Sequence, residues 1–266
     1  MDLLAYFSSY AIQANLIRRS GTMHPIPQLL AATRASARHE LRFTHAITMD
    51  GTETPVEDSS AWWARQLGRG DALQQQFGGL VLTTAESETA VNAAYSREPL
   101  GGVVYDRFRF DFPVLQGFDA ARLARWLSEV ALAYDAANAW VHTADLLELV
   151  RTAGGAASEE PPPWWERLPP EVTSVFAALE PASKLDLCEM PEAVWWINVW
   201  SPAIVQRFGA RLRSAGWQRA ESLQGGYELL VASEDAPERD HSAALNQVAA
   251  LHRALDLAAL QRQSRV

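Results

Sequence analysis

Apolar and polar positions alternate along this chain in two rhythms, and the change from one to the other marks out its elements. Leu123, Trp126, Leu127, Val130 and Tyr134 recur three or four residues apart, which places them on one stripe of a helix opened by Asp119 as N-cap. Just upstream, Phe108, Phe110 and Phe112 alternate with Arg107, Arg109 and Asp111, the period of two that a half-buried strand requires. Asn138 to Thr143 reads as a short strand after the helix. Leu41, Phe43, His45 and Ile47 fall on one face of an earlier strand, and Phe77 to Thr84 makes another. The first forty residues read as mostly helical, with a break around Gly21 to Pro27.

The second half is more sharply punctuated. Pro169-Pro170 open a helix whose Val172, Val175, Phe176 and Leu179 share one side, proline being at home in a first turn. Ala193 to Trp200 is apolar on both faces, as a central strand is. Ser201-Pro202 then provide an N-cap and first-turn proline for a helix carrying Ile204, Val205, Phe208 and Leu212, ended by Gly216. Trp217 to Leu223 and Tyr227 to Ala232 form a hairpin across Gln224-Gly225-Gly226, where glycine supplies the positive φ that such loops need. A long helix from about Ser242 closes the chain, with Val248, Leu251, Leu255 and Ala258 inward.

Between the halves lies Gly-Gly-Ala-Ala-Ser-Glu-Glu-Pro-Pro-Pro, residues 154–163, which can continue neither a helix nor a central strand. The expected organisation is an N-terminal lobe over 1–153, a Gly/Pro-rich linker over 154–165 and a C-terminal lobe over 166–266. The expected class is α+β, with mixed or largely antiparallel sheets and helices packed on one face.

Composition narrows the function. Hydrophobic residues make up 48% of the 266, enough for a sizeable core, and ten are tryptophan, including the pairs Trp62-Trp63, Trp164-Trp165 and Trp195-Trp196. The net charge of −9 is spread along the chain, so the surface repels phosphate backbones; it suits a basic protein partner, or serves solubility alone. Met1 to Ile17 is apolar, but Asp2, Ser8, Ser9 and Gln13 break the pattern of a signal peptide. No stretch approaches the roughly 20 apolar residues of a membrane span. Cytoplasmic residence is the expectation.

Candidate chemistry is sparse. Cys188 stands alone and reads as a buried, inert thiol. Gly78-Gly79 and Gly101-Gly102 make no phosphate-binding pattern and read as turns or bulges. The six histidines form no metal-ligand motif, and His39 and His45 are about 20 Å apart along an extended strand. His142 with Asp145 is the best acid–base couple, although Asp145 at a strand-to-helix boundary also suits an N-cap. No nucleophile elbow occurs. The expectation is a protein without catalysis or cofactor that works by binding. Its candidate contacts are the acidic run Glu234, Asp235, Glu238 and Asp240, which also reads as a solvated loop before the last helix, with Asn198 and Trp195. Asn198 has a structural reading as well, since a buried amide between Trp196 and Trp200 needs hydrogen-bond partners. Trp195 and Trp196 point to opposite faces, so at most one can line a cleft.

The segment 191–233 is the most individual part of the chain. It runs Pro191-Glu192-Ala193-Val194-Trp195-Trp196-Ile197-Asn198-Val199-Trp200-Ser201-Pro202, then a helix, Ala215-Gly216-Trp217, Gln224-Gly225-Gly226 and Tyr227-Glu228-Leu229-Leu230-Val231-Ala232. It resembles the C-terminal region of bacterial polymorphic-toxin and type VI secretion immunity proteins, in which an aromatic strand and Asn-x-x-x-Pro-like turn precede a helix and a Gly-Gly hairpin. The resemblance covers about a third of the chain and its motifs are structural; the N-terminal half departs from the group. It implies a stoichiometric inhibitor that binds a cognate toxin in the cytoplasm and blocks its active site. An enzyme of unrecognised class, or a scaffold in a larger complex, is the alternative.

Overall fold

The computed structural model of the protein describes residues 12–21, 26–36, 43–48, 53–57, 62, 79–84, 92–112, 120–143, 169–234 and 242–265. Its strands are β1 (Ile12–Arg19), β2 (Phe43–Thr48), β3 (Glu53–Pro55), β4 (Gly79–Thr84), β5 (Asn92–Leu100), β6 (Val103–Phe112), β7 (Asn138–Thr143), β8 (Ile197–Trp200), β9 (Arg219–Ser222) and β10 (Glu228–Val231). The helices are α1 (Ile26–Ser36), α2 (Ala120–Tyr134), α3 (Pro170–Ala177), α4 (Pro202–Phe208), α5 (Ala210–Ser214), α6 (Ser242–Leu255) and α7 (Leu257–Gln263).

All ten strands join one antiparallel sheet in the order β3-β2-β4-β5-β6-β1-β7-β8-β10-β9. The class is α+β, as the periodicity predicts. The sheet runs from the N-terminal half into the C-terminal half where β7 pairs with β8, Asn138 opposite Trp200 and Val141 opposite Ile197. The 154–165 segment lies outside the described residues, as do Asp119 and Asp145.

Helices cover both faces of the sheet, not one as expected. One face packs Ala14 and Leu16 of β1, Phe108, Phe110 and Phe112 of β6, and Ile197 and Val199 of β8 against α1 and α2. The other packs Trp140, Trp200 and Leu230 against α3, α4, α5 and α6. The reason is visible in β8: a strand buried on both faces must be covered on both. Trp196 enters the first core and Trp195 the second.

Several elements differ from their expectation. Residues 12–19 form a central strand, not a helix. Ala14 and Leu16 alternate with Gln13 and Asn15, but alanine, leucine and glutamine are good helix formers, and sheet pairing on both sides overrides that preference. β2 carries a register shift between Phe43 and His45, so Ala46 turns inward and Ile47 is exposed. The helix after Pro202 breaks at Gly209, which has φ 53°, and the last helix breaks at Asp256 in the left-handed region. Gly101-Gly102 form a two-residue hairpin turn with φ 58° and 81°, joining β6 to a strand, β5, that the sequence pattern did not predict.

Candidate functional site

The two halves meet at one end of the sheet, where β1, β7, β8 and β10 start or stop together. Arg18 and Arg19 end β1, and because strand side chains alternate they leave on opposite faces. Beside them α2 stops in a Schellman-type cap. Asp135 sits in the left-handed region with φ 55°, the Asp135 N–H donates to Leu132 O, and the Ala136 N–H to Ala131 O. Aspartate is among the few non-glycine residues that take this conformation at modest cost. The backbone is then stitched across the seam: the Ala137 N–H donates to Ile17 O, and the Ser201 N–H to Ala137 O.

This arrangement encloses a cleft of about 340 Å³ lined by Arg18, Arg19, Asp135, Ser201, Ala203 and Tyr227, with Cys188 and Glu189 on its far wall. Asp186 organises that wall. It pairs with Arg19, accepts from the Tyr105 hydroxyl at 3.2 Å, and accepts from the Cys188 N–H at 3.0 Å. Burial, with the charge of Asp186 beside it, pushes the Cys188 thiol up to about 12, so it is held as a protonated, unreactive group. Opposite, the Tyr227 hydroxyl donates to Asp135 Oδ1 at 3.1 Å, and burial together with that carboxylate pushes the phenol up to about 12. Arg18 donates to Tyr134 O at 3.3 Å and lies 5.8 Å from the centroid of the Tyr134 ring. Ser201 occupies the N-cap position of α4, as the sequence suggests, yet its Oγ makes no capping bond and is buried without a hydrogen-bond partner.

The residues singled out in sequence are dispersed. Trp195 is fully buried, with ring centroids 4.8 Å from Trp140 and 4.6 Å from His142. Asn198 is equally buried, and its amide is used on the backbone: Oδ1 accepts from Trp195 N at 3.0 Å and Nδ2 donates to Trp195 O at 2.8 Å. Both are therefore placed in the interior, away from any surface a partner could touch, because one closes the loop that presents the other. Glu234 is exposed, 3.8 Å from Arg219, while Asp235, Glu238 and Asp240 lie outside the described residues. His142 is sealed between Trp140 and Trp195, with Nδ1 against the Thr143 carbonyl.

No family model matches the chain, and no curated protein matches it. The decisive comparison is with solved structures. The chain is similar in fold to the Pseudomonas aeruginosa T6SS protein PA0821. The likeness covers 92% of this chain and 72% of that one, with a TM-score of 0.52 and 14% identity. At that identity it is a likeness of fold alone.

Among the described residues no group of three His, Cys, Asp or Glu side chains could hold a metal ion, and no helix is long and apolar enough to cross a membrane. What the cleft offers is recognition chemistry: guanidinium, hydroxyl and carboxylate groups set on a rigid sheet end. Sequence reading missed it because its residues are drawn from position 18 to position 227 and no local spacing links them. The only local signal was the Arg18-Arg19 pair after an apolar run.

Proposed function

We propose that this protein is an immunity protein: it binds a cognate T6SS effector in the cytoplasm and neutralises it by covering the effector's active site. The observation that carries this reading is the fold likeness, over 92% of the chain, to a protein described as belonging to a T6SS. The resemblance of residues 191–233 to immunity proteins adds to it independently. The overall charge of −9 suits a basic effector, since opposite net charge speeds encounter. A binding role also accords with the state of the two candidate reactive groups, His142 enclosed by indole rings and Cys188 held as a thiol.

Co-expression tests it directly. A toxic reading frame adjacent to this gene is induced in bacteria with and without the full chain. The reading requires restored growth and a stoichiometric complex on co-purification. Toxicity undiminished by the chain, with no complex formed, removes it. Replacing Glu234, Asp235, Glu238 and Asp240 with neutral residues asks whether the acidic run is the docking surface. If it is, the salt dependence of effector binding becomes shallower; an unchanged dependence excludes that surface.

A further inference from the structure

The cleft at the sheet end has an unusual charge arrangement. Arg19 is paired with Asp186, and Glu189 with Arg207. Arg18 and Asp135 are not paired in this way. Among the described residues no carboxylate lies within 4 Å of the Arg18 guanidinium, whose contacts are two backbone carbonyls and the Tyr134 ring. Among the described residues no cation lies within 4 Å of the Asp135 carboxylate, whose contact is the Tyr227 hydroxyl. The two opposite charges line one cleft without forming an ion pair within 4 Å.

We infer that this cleft is where the partner protein docks, and that the partner brings a carboxylate to Arg18 and a neighbouring cation to Asp135. The inference rests on the proposed binding of an effector and names the surface that does it. Charge complementarity favours a protein over a small solute. The negative surface as a whole draws in a basic partner, and an arginine with no carboxylate within 4 Å among the described residues offers that partner's acidic group one place to pair. Asp135 and Ala203 are exposed at the rim, so the site is open to a protruding loop. Arg18 is held by its carbonyl contacts and by Tyr134, so little side-chain freedom remains to be lost on binding.

The test uses the full-length protein and the purified, catalytically inactivated product of the adjacent toxic reading frame, with affinity read by calorimetry. Arg18→Met and Asp135→Asn are each expected to weaken binding about 30-fold, chiefly through faster dissociation. Ala203→Trp fills the cleft from the exposed rim without touching the core, and is expected to weaken binding more than 100-fold, about the loss of a whole anchor. Arg213→Met, on the outside of α5, serves as the control. Unchanged affinity in Ala203→Trp with the melting profile intact overturns the inference while leaving effector binding standing. Absence of complex with the unaltered protein overturns both. Stabilisation of the protein alone by free glycine or glutamate, lost in Arg18→Met, assigns the cleft to a small zwitterion and overturns docking there.

Discussion

His252 is a titratable residue held away from water. It lies in α6, wholly inside the second core, with its ring 5.1 Å from Phe176 and its Nε2 accepting the Val194 N–H at 2.8 Å. Burial lowers its pKa from 6.5 to about 4. The sign of the consequence follows from which state takes the proton. Between pH 6.5 and pH 4 the unfolded chain binds it and the folded chain does not, so stability falls as pH falls through that window and is unaffected above it. Going from pH 7 to pH 5, His252 alone should cost about 2 kcal/mol. Urea unfolding of the native protein and of His252→Gln, which keeps an acceptor but does not titrate, should differ by that amount in their pH dependence. Equal dependence in the two would mean the histidine is not held neutral. Asn198 makes a second residue-scale case. Asn198→Leu strands the Trp195 N–H and carbonyl in the interior, and should lower stability by about 3 kcal/mol. It should leave affinity for the proposed partner unchanged, because the side chain is wholly buried.

At the scale of elements, the β5–β6 hairpin is set by its turn. Leu100 pairs with Val103 across Gly101-Gly102, and both glycines take positive φ, the conformation of a tight two-residue hairpin loop. A Cβ on Gly102 would meet nothing within 4 Å, so any cost of a side chain there is conformational and not steric crowding. Gly102→Val should therefore destabilise by about 1–2 kcal/mol and Gly102→Asn by much less, since asparagine tolerates the left-handed region. Thermal melts of the two variants decide it; similar losses in both would point to some other constraint on the turn. The same reasoning explains the breaks after α4 and α6. Gly209 and Asp256 each interrupt a continuous apolar stripe, so periodicity alone predicts one helix where there are two.

For the molecule as a whole, α2 belongs to the first half of the sequence but covers strands of the second, with Trp196, Ile197, Val199, Leu229 and Val231 in its core cluster. β7 and β8 share a ladder of four residue pairs. Residues 166–266 expressed alone would expose the apolar face of β8 and β10 and the open edge of β8, a combination that promotes association. That fragment should sediment as oligomers or aggregates, whereas the full chain should unfold in one urea transition with tryptophan fluorescence and circular dichroism coincident. A monomeric, cooperatively folding fragment would instead show that the second half holds its own core.

The sequence by itself determined the α+β class, the strand at Phe108 to Phe112, the helix from Leu123 to Tyr134, and nearly the whole order of elements after Pro169. Each rests on side-chain periodicity, which a helix or a strand imposes locally. Trp195 and Trp196 enter opposite cores, as the sequence pattern predicts, but both precede β8, which begins at Ile197 and not at Ala193, and the loop that Asn198 closes places them. The tertiary structure alone decided that residues 12–19 are a strand, because only pairing with both β6 and β7 outweighs their helix propensity. It alone decided that helices cover both faces, and that Arg18, Asp135, Ser201 and Tyr227 share a cleft. Residues about two hundred positions apart, such as Arg18 and Tyr227, are brought to one cleft by the order in which strands join the sheet, and that order is written in no local pattern.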